Sequence, residues 1–240
     1  MINLEMQVNK TPAGLYTVTF GYKQAPLDVQ EGAFAVHGLH TVSPAEFGFL
    51  RAQGPRDTFN LYSRTDADVL YDNRTNQVVI VPNGAISRQV SIANLVDAHR
   101  RGKEYVIPEN QRDLVYAMVD EMLRNNIAFV APHGETGVPT AEFGKNDLTL
   151  RLFSDKRLGI EAQEYGDWQK ERGIASQSIF LDNADYAQSQ EGLYLNRLRV
   201  CGSGGDFDVD GGSRGLVNNF GAFGVRFEKT AVGGVGGAKK

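Results

Sequence analysis

The chain has 240 residues, 41% of them hydrophobic, and a formal net charge of −4, which is typical of one globular domain and excludes a disordered chain. The acidic isoelectric point of about 5.6 argues against a dedicated nucleic-acid binder, and no apolar run is long enough to span a membrane. A single cysteine, Cys201, excludes an internal disulfide framework and a zinc site built on several cysteines.

The first third of the chain predicts strands. Residues 14–22 are rich in β-branched and aromatic side chains and predict a strand close to the N-terminus. Residues 26–60 show no clean period. The turn at 72–76 is followed by an apolar strand at 77–81 that stops at Pro82, which predicts a hairpin with its partner strand within 60–71.

The middle of the chain predicts helices. Residues 91–101 begin with Ser91, a capping residue, and end in basic residues before Gly102. Residues 109–125 carry apolar side chains at helical spacing, which predicts one buried face made of Leu114, Val115, Met118, Met122 and Leu123. Residues 160–172 predict a further helix that ends at Gly173, with three inward-facing side chains: Ala162, Tyr165 and Trp168.

Four more strands are predicted, at 127–131, 178–181, 193–200 and 222–227. Strands therefore come first, helices cluster in the middle, and strands return at the end. This order favours an α+β fold over alternating βαβ units. We expect one domain over residues 1–230 and a flexible glycine-rich tail over 231–240.

Histidine and cysteine give little support for catalysis. His37 and His40 have helical spacing for a metal site, but the glycines and Pro44 around them make a helix there unfavourable. His133 precedes Gly-Glu-Thr in a motif that a loop explains equally well. Cys201 has no identifiable histidine partner and is typical of a small buried hydrophobe. We therefore predict no catalytic residues, and an enzyme is the least favoured class.

The glycine-rich segment near the C-terminus contains two partial ligand motifs. Residues 202–205, Gly-Ser-Gly-Gly, resemble half of a phosphate loop but lack the lysine and the following helix. Residues 206–211 read Asp-Phe-Asp-Val-Asp-Gly, the first half of a calcium loop, yet Val217 stands where the bidentate glutamate is needed. No cofactor is predicted. Calcium stays open as a weak alternative to a solvated acidic loop, with Asp206, Asp208 and Asp210 as its candidate ligands.

The same part of the chain lacks five amino acids. Residues 192–227 contain no Lys, Glu, Gln, Met or Trp, although these five types occur 35 times in residues 1–191. At a uniform composition the segment would hold roughly six of them. Codons that end in a pyrimidine cannot encode these five amino acids. The pattern is therefore typical of a segment rewritten at such codons, and an ordinary glycine-rich surface loop is the alternative.

The C-terminal third, about residues 160–229, resembles the variable proteins of diversity-generating retroelements. The motif Phe223-Gly-Val-Arg-Phe227 fits the Gly-Phe/Val-Arg signature of that family's last strand, and the helix with Tyr165 and Trp168 resembles the helix that precedes its variable half. The resemblance implies a C-type lectin fold of the formylglycine-generating-enzyme-like subclass. That fold has a mixed, mainly antiparallel sheet, two or three helices, and the variable segment on the surface at about 199–226.

The chain departs from two relatives of that fold. Animal C-type lectins carry disulfides, which one cysteine cannot form, and their calcium site uses motifs that are missing here. The enzyme that names the subclass uses a cysteine pair. In the implied topology the first and last strands are paired, so residues 15–22 are expected to lie antiparallel beside 222–227.

The leading hypothesis is a non-catalytic, ligand-binding display protein. Its ligand is unknown, with a protein or surface molecule favoured over nucleic acid, and no secretory signal is visible, which favours a cytoplasmic or virion-associated location. The alternative is a calcium-dependent structural or adhesion module that uses the three aspartates. The glycines are expected to set turn geometry, and the last strand, Phe223, Gly224, Val225, Arg226 and Phe227, is expected to be scaffold. The predicted variable surface comprises Ser203, Asp206, Phe207, Asp208, Asp210, Ser213, Arg214, Leu216, Val217, Asn218, Asn219 and Phe220.

Overall fold

The structure is a computed structural model. It describes residues 2–10, 14–53, 62–190, 192–200, 208–212 and 221–230. Within these ranges the chain forms eight α-helices and twelve β-strands, together with a short 3-10 turn at Thr140–Glu142.

The strands are β1 (Ile2–Lys10), β2 (Gly14–Gln24), β3 (His40–Thr41), β4 (Ser63–Asp72), β5 (Gln77–Val81), β6 (Tyr105–Val106), β7 (Phe129–Ala131), β8 (Glu135–Pro139), β9 (Ser176–Phe180), β10 (Leu193–Val200), β11 (Asp208–Asp210) and β12 (Gly221–Lys229). The helices are α1 (Leu27–Val36), α2 (Pro44–Gln53), α3 (Ala85–Val90), α4 (Ile92–Arg100), α5 (Glu109–Arg124), α6 (Asp147–Phe153), α7 (Ala162–Lys170) and α8 (Ala184–Ser189).

The two ends of the described chain meet in one sheet. Strand β12 lies antiparallel to β2 along nine residue pairs, from Gly221 opposite Gln24 to Lys229 opposite Tyr16. This confirms the predicted pairing of the first and last strands. The sequence prediction missed β1, which forms a hairpin with β2 and occupies the edge of the sheet.

The principal strand order is β1-β2-β12-β4-β10-β11-β9-β8, with the short strands β3, β5, β6 and β7 pairing off this path. Parallel pairing occurs between β12 and β4 and between β11 and β9, and the other described pairs are antiparallel. The sheet is therefore mixed and mainly antiparallel, as predicted. The β4–β5 hairpin is also confirmed, with Asp72 opposite Gln77 at its turn.

The middle of the sheet is buried on both faces. Along β5, Val78 and Ile80 contact one hydrophobic cluster, which includes α2, α6 and α7, while Val79 and Val81 contact a second cluster, which includes α3, α4 and α5. Side chains alternate between the faces of a strand, so a continuous apolar run such as 77–81 fits a strand covered on both sides.

The three predicted helices exist. Helix α7 buries Ala162, Tyr165 and Trp168 as expected. In α5 the predicted buried face is partly wrong, because Val115 and Val119 are the buried residues and Leu114 is 49% exposed. At the start of α4, Ser91 has a φ of 80° and makes no side-chain cap hydrogen bond, so the expected cap is not formed.

The predicted total of two or three helices is wrong, since the described ranges contain eight. Helix α2 shows why the sequence was misleading. Residues Pro44 to Arg51 are all buried, so the helix has no solvent-exposed face. Its sequence therefore lacks the alternation of polar and apolar faces by which an amphipathic helix is recognised. Helices α3, α6 and α8 have only six or seven residues, too few for a helical period to stand out.

Candidate ligand-binding surface

Most of the predicted variable surface lies outside the described residues. These positions are Ser203, Asp206, Phe207, Ser213, Arg214, Leu216, Val217, Asn218, Asn219 and Phe220, and Cys201 also lies outside. The structure describes Asp208 and Asp210, together with the strands on which the segment begins and ends.

The segment is attached to the sheet at its centre as well as at its ends. Residues 208–210 form β11, which lies between β10 and β9: Val209 is opposite Val200 on one side and Ile179 on the other. Val209 is fully buried, whereas Asp208 and Asp210 are partly exposed. The expectation of an acidic loop across these residues is therefore wrong, because the alternation Asp-Val-Asp belongs to a strand with one buried face.

Asp210 has a structural role. Its carboxylate is ion-paired with Arg199, whose Nε lies 3.1 Å from Oδ2, and its Oδ1 accepts a hydrogen bond of 2.9 Å from the backbone N–H of Gly212. These bonds occupy the carboxylate that the calcium interpretation requires as a ligand. In the part of the chain that the structure describes, no cluster of three or more His, Cys, Asp or Glu side chains could hold a metal ion.

Gly211 and Gly212 are required for close packing. A Cβ on Gly211 would lie 2.7 Å from Leu181 Cδ2 and 3.0 Å from Val69 Cγ2, and one on Gly212 would lie 2.2 Å from Asp182 Oδ1. Neither glycine has a positive φ. The chain bends at both positions, but the need for glycine comes from the close side chains of Leu181, Val69 and Asp182 rather than from a left-handed backbone.

A concave surface adjoins Gly212. It is a cavity of about 530 Å³ lined by residues of the β7–β8 connection, the end of β9 and the start of α8, among them Glu135, Phe180, Asp182 and Tyr186. Seven of its lining residues precede position 192, and the eighth, Gly212, belongs to the segment that lacks the five amino acids. A ligand that contacts Gly212 would also meet Glu135 and Asp182.

Two stacked tyrosines hold that wall in place. The rings of Tyr71 and Tyr194 are 4.6 Å apart and nearly parallel. The Tyr194 hydroxyl donates to Asp182 Oδ2 at 2.9 Å, and the Asp182 backbone N–H donates to the Tyr71 hydroxyl at 3.0 Å. Burial, with the nearby carboxylate of Asp182, raises the pKa of both tyrosines well above the usual value, so both hydroxyls stay protonated at any physiological pH.

The first half of the last strand is buried, and aromatic side chains pack against it. Phe223 is fully buried against Tyr22 and Phe47, with ring centroids 4.8 and 5.7 Å away, and Val225 is fully buried as well. Arg226 and Phe227 are partly exposed, and Phe227 lies at the margin of the core beside Phe49. The inward alternation predicted for this strand thus holds at Phe223 and Val225.

Strand β10, which is separated from β12 by β4, carries buried apolar side chains on both of its faces. Leu193 and Leu195 contact the cluster on one face of the sheet, whereas Leu198 and Val200 contact the cluster on the other face. Positions 193 and 195 alternate with positions 198 and 200, so the two-residue period of a strand places the two pairs on opposite faces. All four leucine and valine side chains are buried, but they do not share one inward side as predicted.

The glycine within the Phe-Gly-Val-Arg-Phe motif has a clear physical cause. The ring of Phe34, on α1, covers the Cα of Gly224, and a Cβ there would lie 2.4 Å from Phe34 Cδ1. Only glycine lets helix α1 pack this closely on β12.

The histidines considered at the outset do not form a metal site. His37 follows the end of α1, and His40 lies on β3 with its Nε2 3.0 Å from Glu46 Oε1. His133 is hydrogen-bonded through both ring nitrogens to backbone carbonyls, those of Asp182 and Asn76. All three are accounted for by local hydrogen bonding or exposure.

Comparison with known proteins gives one informative match. No protein-family model matches the chain, and no curated protein matches its sequence. A solved structure from Nanoarchaeota, described as the accommodation of massive sequence variation by the C-type lectin fold, superposes with a TM-score of 0.50 at 13% identity, covering 96% of this chain and 100% of its own.

This chain has a C-type lectin fold. The likeness extends over nearly the whole described molecule and agrees with the pairing of the N-terminal and C-terminal strands. At 13% identity it shows the fold alone. Within the described ranges no helix combines the length and apolarity needed to cross a bilayer.

Proposed function

We propose that this chain is a non-catalytic display protein that binds a ligand through a segment at about 199–226, which a retroelement diversifies. The net charge of −4 argues against a nucleic acid as that ligand. The carrying observation is that residues 192–227 lack all five amino acids that pyrimidine-ending codons cannot encode. We further propose the formylglycine-generating-enzyme-like subclass of the fold, since Phe223-Gly-Val-Arg-Phe227 resembles the last-strand signature of the variable proteins.

The arrangement of the segment supports this proposal. Its described parts are three strands, β10, β11 and β12, each with buried positions such as Val200, Val209 and Val225. Substitutions at exposed sites usually change stability by less than about 0.5 kcal/mol, whereas loss of buried methyl groups costs more. Three anchoring strands therefore allow the stretches between them to change while the sheet persists.

The solved structure with the same fold supports the proposal by analogy. It is described as accommodating massive sequence variation, and the present chain offers the same kind of scaffold. The ligand we propose is a protein or a surface molecule. The acidic wall at Glu135 and Asp182 would favour a partner with basic or hydrogen-bond-donating groups at that point.

The decisive test is the DNA beside the gene. We expect a reverse-transcriptase gene and a near-copy of the coding segment for residues 192–227 that differs from it at template adenines. If that DNA contains neither, the diversification is refuted.

A stability test checks the display surface independently. Changing Ser203, Arg214 or Asn218 to other residues with pyrimidine-ending codons is expected to shift the free energy of unfolding by less than about 1 kcal/mol each. Val225→Ala, the buried control, is expected to cost about 2–3 kcal/mol because it leaves a cavity under β12. Urea melts measure both, and equal losses would mean that the segment belongs to the core.

Calorimetry with calcium separates this proposal from the adhesion alternative. Because Asp210 is bonded to Arg199 and Gly212, we expect no binding heat at millimolar calcium. Saturable binding that Asp206→Asn abolishes would favour the adhesion module instead.

A further inference from the structure

A cleft of about 480 Å³ is lined by residues that all lie between positions 40 and 157, so none of them belongs to the segment that we propose is diversified. Its walls come from β3, the start of α2, β4, α3 with the turn before it, and α6 with the loop that follows it. A cleft of this size is within the range of small-molecule sites. Its lining is rich in basic side chains, namely His40, Arg88, Arg151 and Arg157.

Glu46, one of the acidic side chains of the cleft, is buried and bonded internally. Its side chain is only 3% exposed, and its carboxylate lies 3.0 and 3.1 Å from His40 Nε2. The carboxylate also accepts a 2.9 Å bond from the Ser43 N–H, and the Glu46 N–H bonds back to Ser43 Oγ in a capping box at the start of α2. Glu46 therefore offers little negative charge to a ligand.

The other two acidic side chains of the lining are also withdrawn. The side chain of Asp155 is 21% exposed, and it accepts hydrogen bonds from two backbone N–H groups and from Nη2 of Arg157. Asp66 Oδ1 is buried, and burial raises the pKa of Asp66 to about 7, which reduces its negative charge near neutral pH. The acceptors of the cleft are thus largely occupied or out of reach.

The basic side chains are more accessible than the acidic ones. The side chains of Arg157 and His40 are 76% and 52% exposed, and Arg88 is exposed on α3. Arg151 is partly exposed and paired through its Nε with Asp147. Each of the three arginines uses one guanidinium nitrogen in its bonds to the described residues, so the other guanidinium N–H groups remain as donors. The cleft therefore presents a surplus of donors and of positive charge.

Two of the cations act on each other across separate elements. His40 lies on β3 and Arg157 lies in the loop after α6, yet the positive charge of Arg157 lowers the pKa of His40. Burial lowers that pKa as well, but the hydrogen bond and the charge of Glu46 outweigh both effects and raise it above its usual value. Since Nε2 faces Glu46, the Nδ1–H of the protonated ring is the donor left for a ligand. An anion beside the two cations would relieve their repulsion.

We propose that this cleft binds a small phosphate monoester, with its phosphoryl group on His40 and Arg157. The three terminal oxygens of a phosphoryl group point in different directions and accept from donors on two walls, whereas a planar carboxylate suits a single guanidinium fork. A phosphate monoester also carries up to two negative charges near neutral pH. Arg88 and Arg151 add positive charge around the rest of the ligand. The binding is independent of the diversified segment.

The test is a titration of the intact chain at about pH 6, where the imidazole of His40 is protonated. The probes are glycerol 2-phosphate, glycerate, which carries a carboxylate in place of the phosphoryl group, and uncharged glycerol. We expect glycerol 2-phosphate to shift the NMR signals of the His40 ring and to leave those of His99 and His133 in place, with a dissociation constant of about 1 mM or below by calorimetry. Glycerate is expected to bind about tenfold more weakly and glycerol not at all.

Arg157→Gln is expected to weaken the binding of glycerol 2-phosphate about tenfold, because it removes a charge-assisted donor. Arg101→Gln is the matched control: Arg101 is also exposed and ion-paired, on α4, and its loss changes the net charge equally, so this variant should bind as the unaltered chain does. His40→Gln should weaken binding as well. Because Arg157 is exposed, its variant tests the site even if His40→Gln alters folding.

Three results would overturn the proposal. The first is no shift of the His40 signals at about 10 mM glycerol 2-phosphate, a generous ceiling for a specific site. The second is equal binding by Arg157→Gln and Arg101→Gln, which would reduce the effect to general charge attraction. The third is glycerate binding as tightly as glycerol 2-phosphate, which would mean a site that does not select the phosphoryl group.

Discussion

Replacement of Gly224 by alanine tests the packing of the last strand most directly. The new Cβ would lie 2.4, 2.6 and 2.9 Å from three ring carbons of Phe34, whereas an ordinary carbon contact is about 3.5–4.0 Å. The ring would have to move by about 1 Å, yet Phe34 is 1% exposed and β12 is held between β2 and β4. We expect a loss of about 2–3 kcal/mol in the free energy of unfolding, as for other overpacked cores.

The matched control is Gly32→Ala on helix α1, the helix that carries Phe34. A Cβ at Gly32 would meet nothing within 4 Å, so alanine there should stabilise the helix by about 0.5–1 kcal/mol. The two alanine substitutions should therefore have opposite signs. Thermal melts would show a decrease of roughly 5–10 °C for Gly224→Ala and a small increase for the control.

A second substitution isolates the contact. Phe34→Leu removes part of the ring, so Gly224→Ala should cost at least 1 kcal/mol less, in order of magnitude, in that background than in the unaltered chain. If Gly224→Ala leaves the melting temperature unchanged, or if Phe34→Leu gives no relief, the close approach of α1 to β12 is not the reason for this glycine.

Three further predictions concern charge and chain ends. Burial raises the pKa of Asp66 to about 7, so the contribution of Asp66 to stability is lost as the pH rises from about 4 through 7. Asp66→Asn should therefore be more stable than the unaltered chain by about 2–4 kcal/mol at pH 8 and nearly equal to it at pH 4. Parallel melting curves of the two proteins at both pH values would contradict this. Asp210→Ala should cost about 1 kcal/mol through loss of its ion pair with β10, more than Asp147→Ala at an exposed pair, as measured by urea melts. Deletion of residues 1–22 removes most of β2 and should unfold the domain, whereas deletion of 231–240 should leave the circular dichroism spectrum intact. A folded 23–240 fragment would refute the role of the β2–β12 pairing.

Local patterns in the sequence were sufficient for much of the fold. The hairpin at 72–76, helix α7 and strand β12 each carry their own signal: turn residues between apolar runs, three inward side chains at helical spacing, and alternating apolar residues. Such signals depend on neighbours along the chain, so they can be interpreted without knowing what packs against them.

The candidate sites depended on contacts between distant residues. The sequence predicted a calcium-like loop at Asp210. In the structure Asp210 lies on β11 and is paired with Arg199, because β11 is antiparallel to β10. Ser43 and Glu46 form a capping box, which is a local sequence signal for the start of α2. The rest of the helix gives no such signal, because it is buried on all sides and shows no amphipathic period.

By itself, the sequence determined the composition of the 192–227 segment, the α+β order of elements and the identity of the scaffold strand at the C-terminus. The tertiary structure alone decided that Asp210 is paired with Arg199, and that Phe34 covers Gly224. The physical reason is that propensity and periodicity act over a few residues, whereas burial and pairing of charges depend on which elements the folded sheet brings side by side.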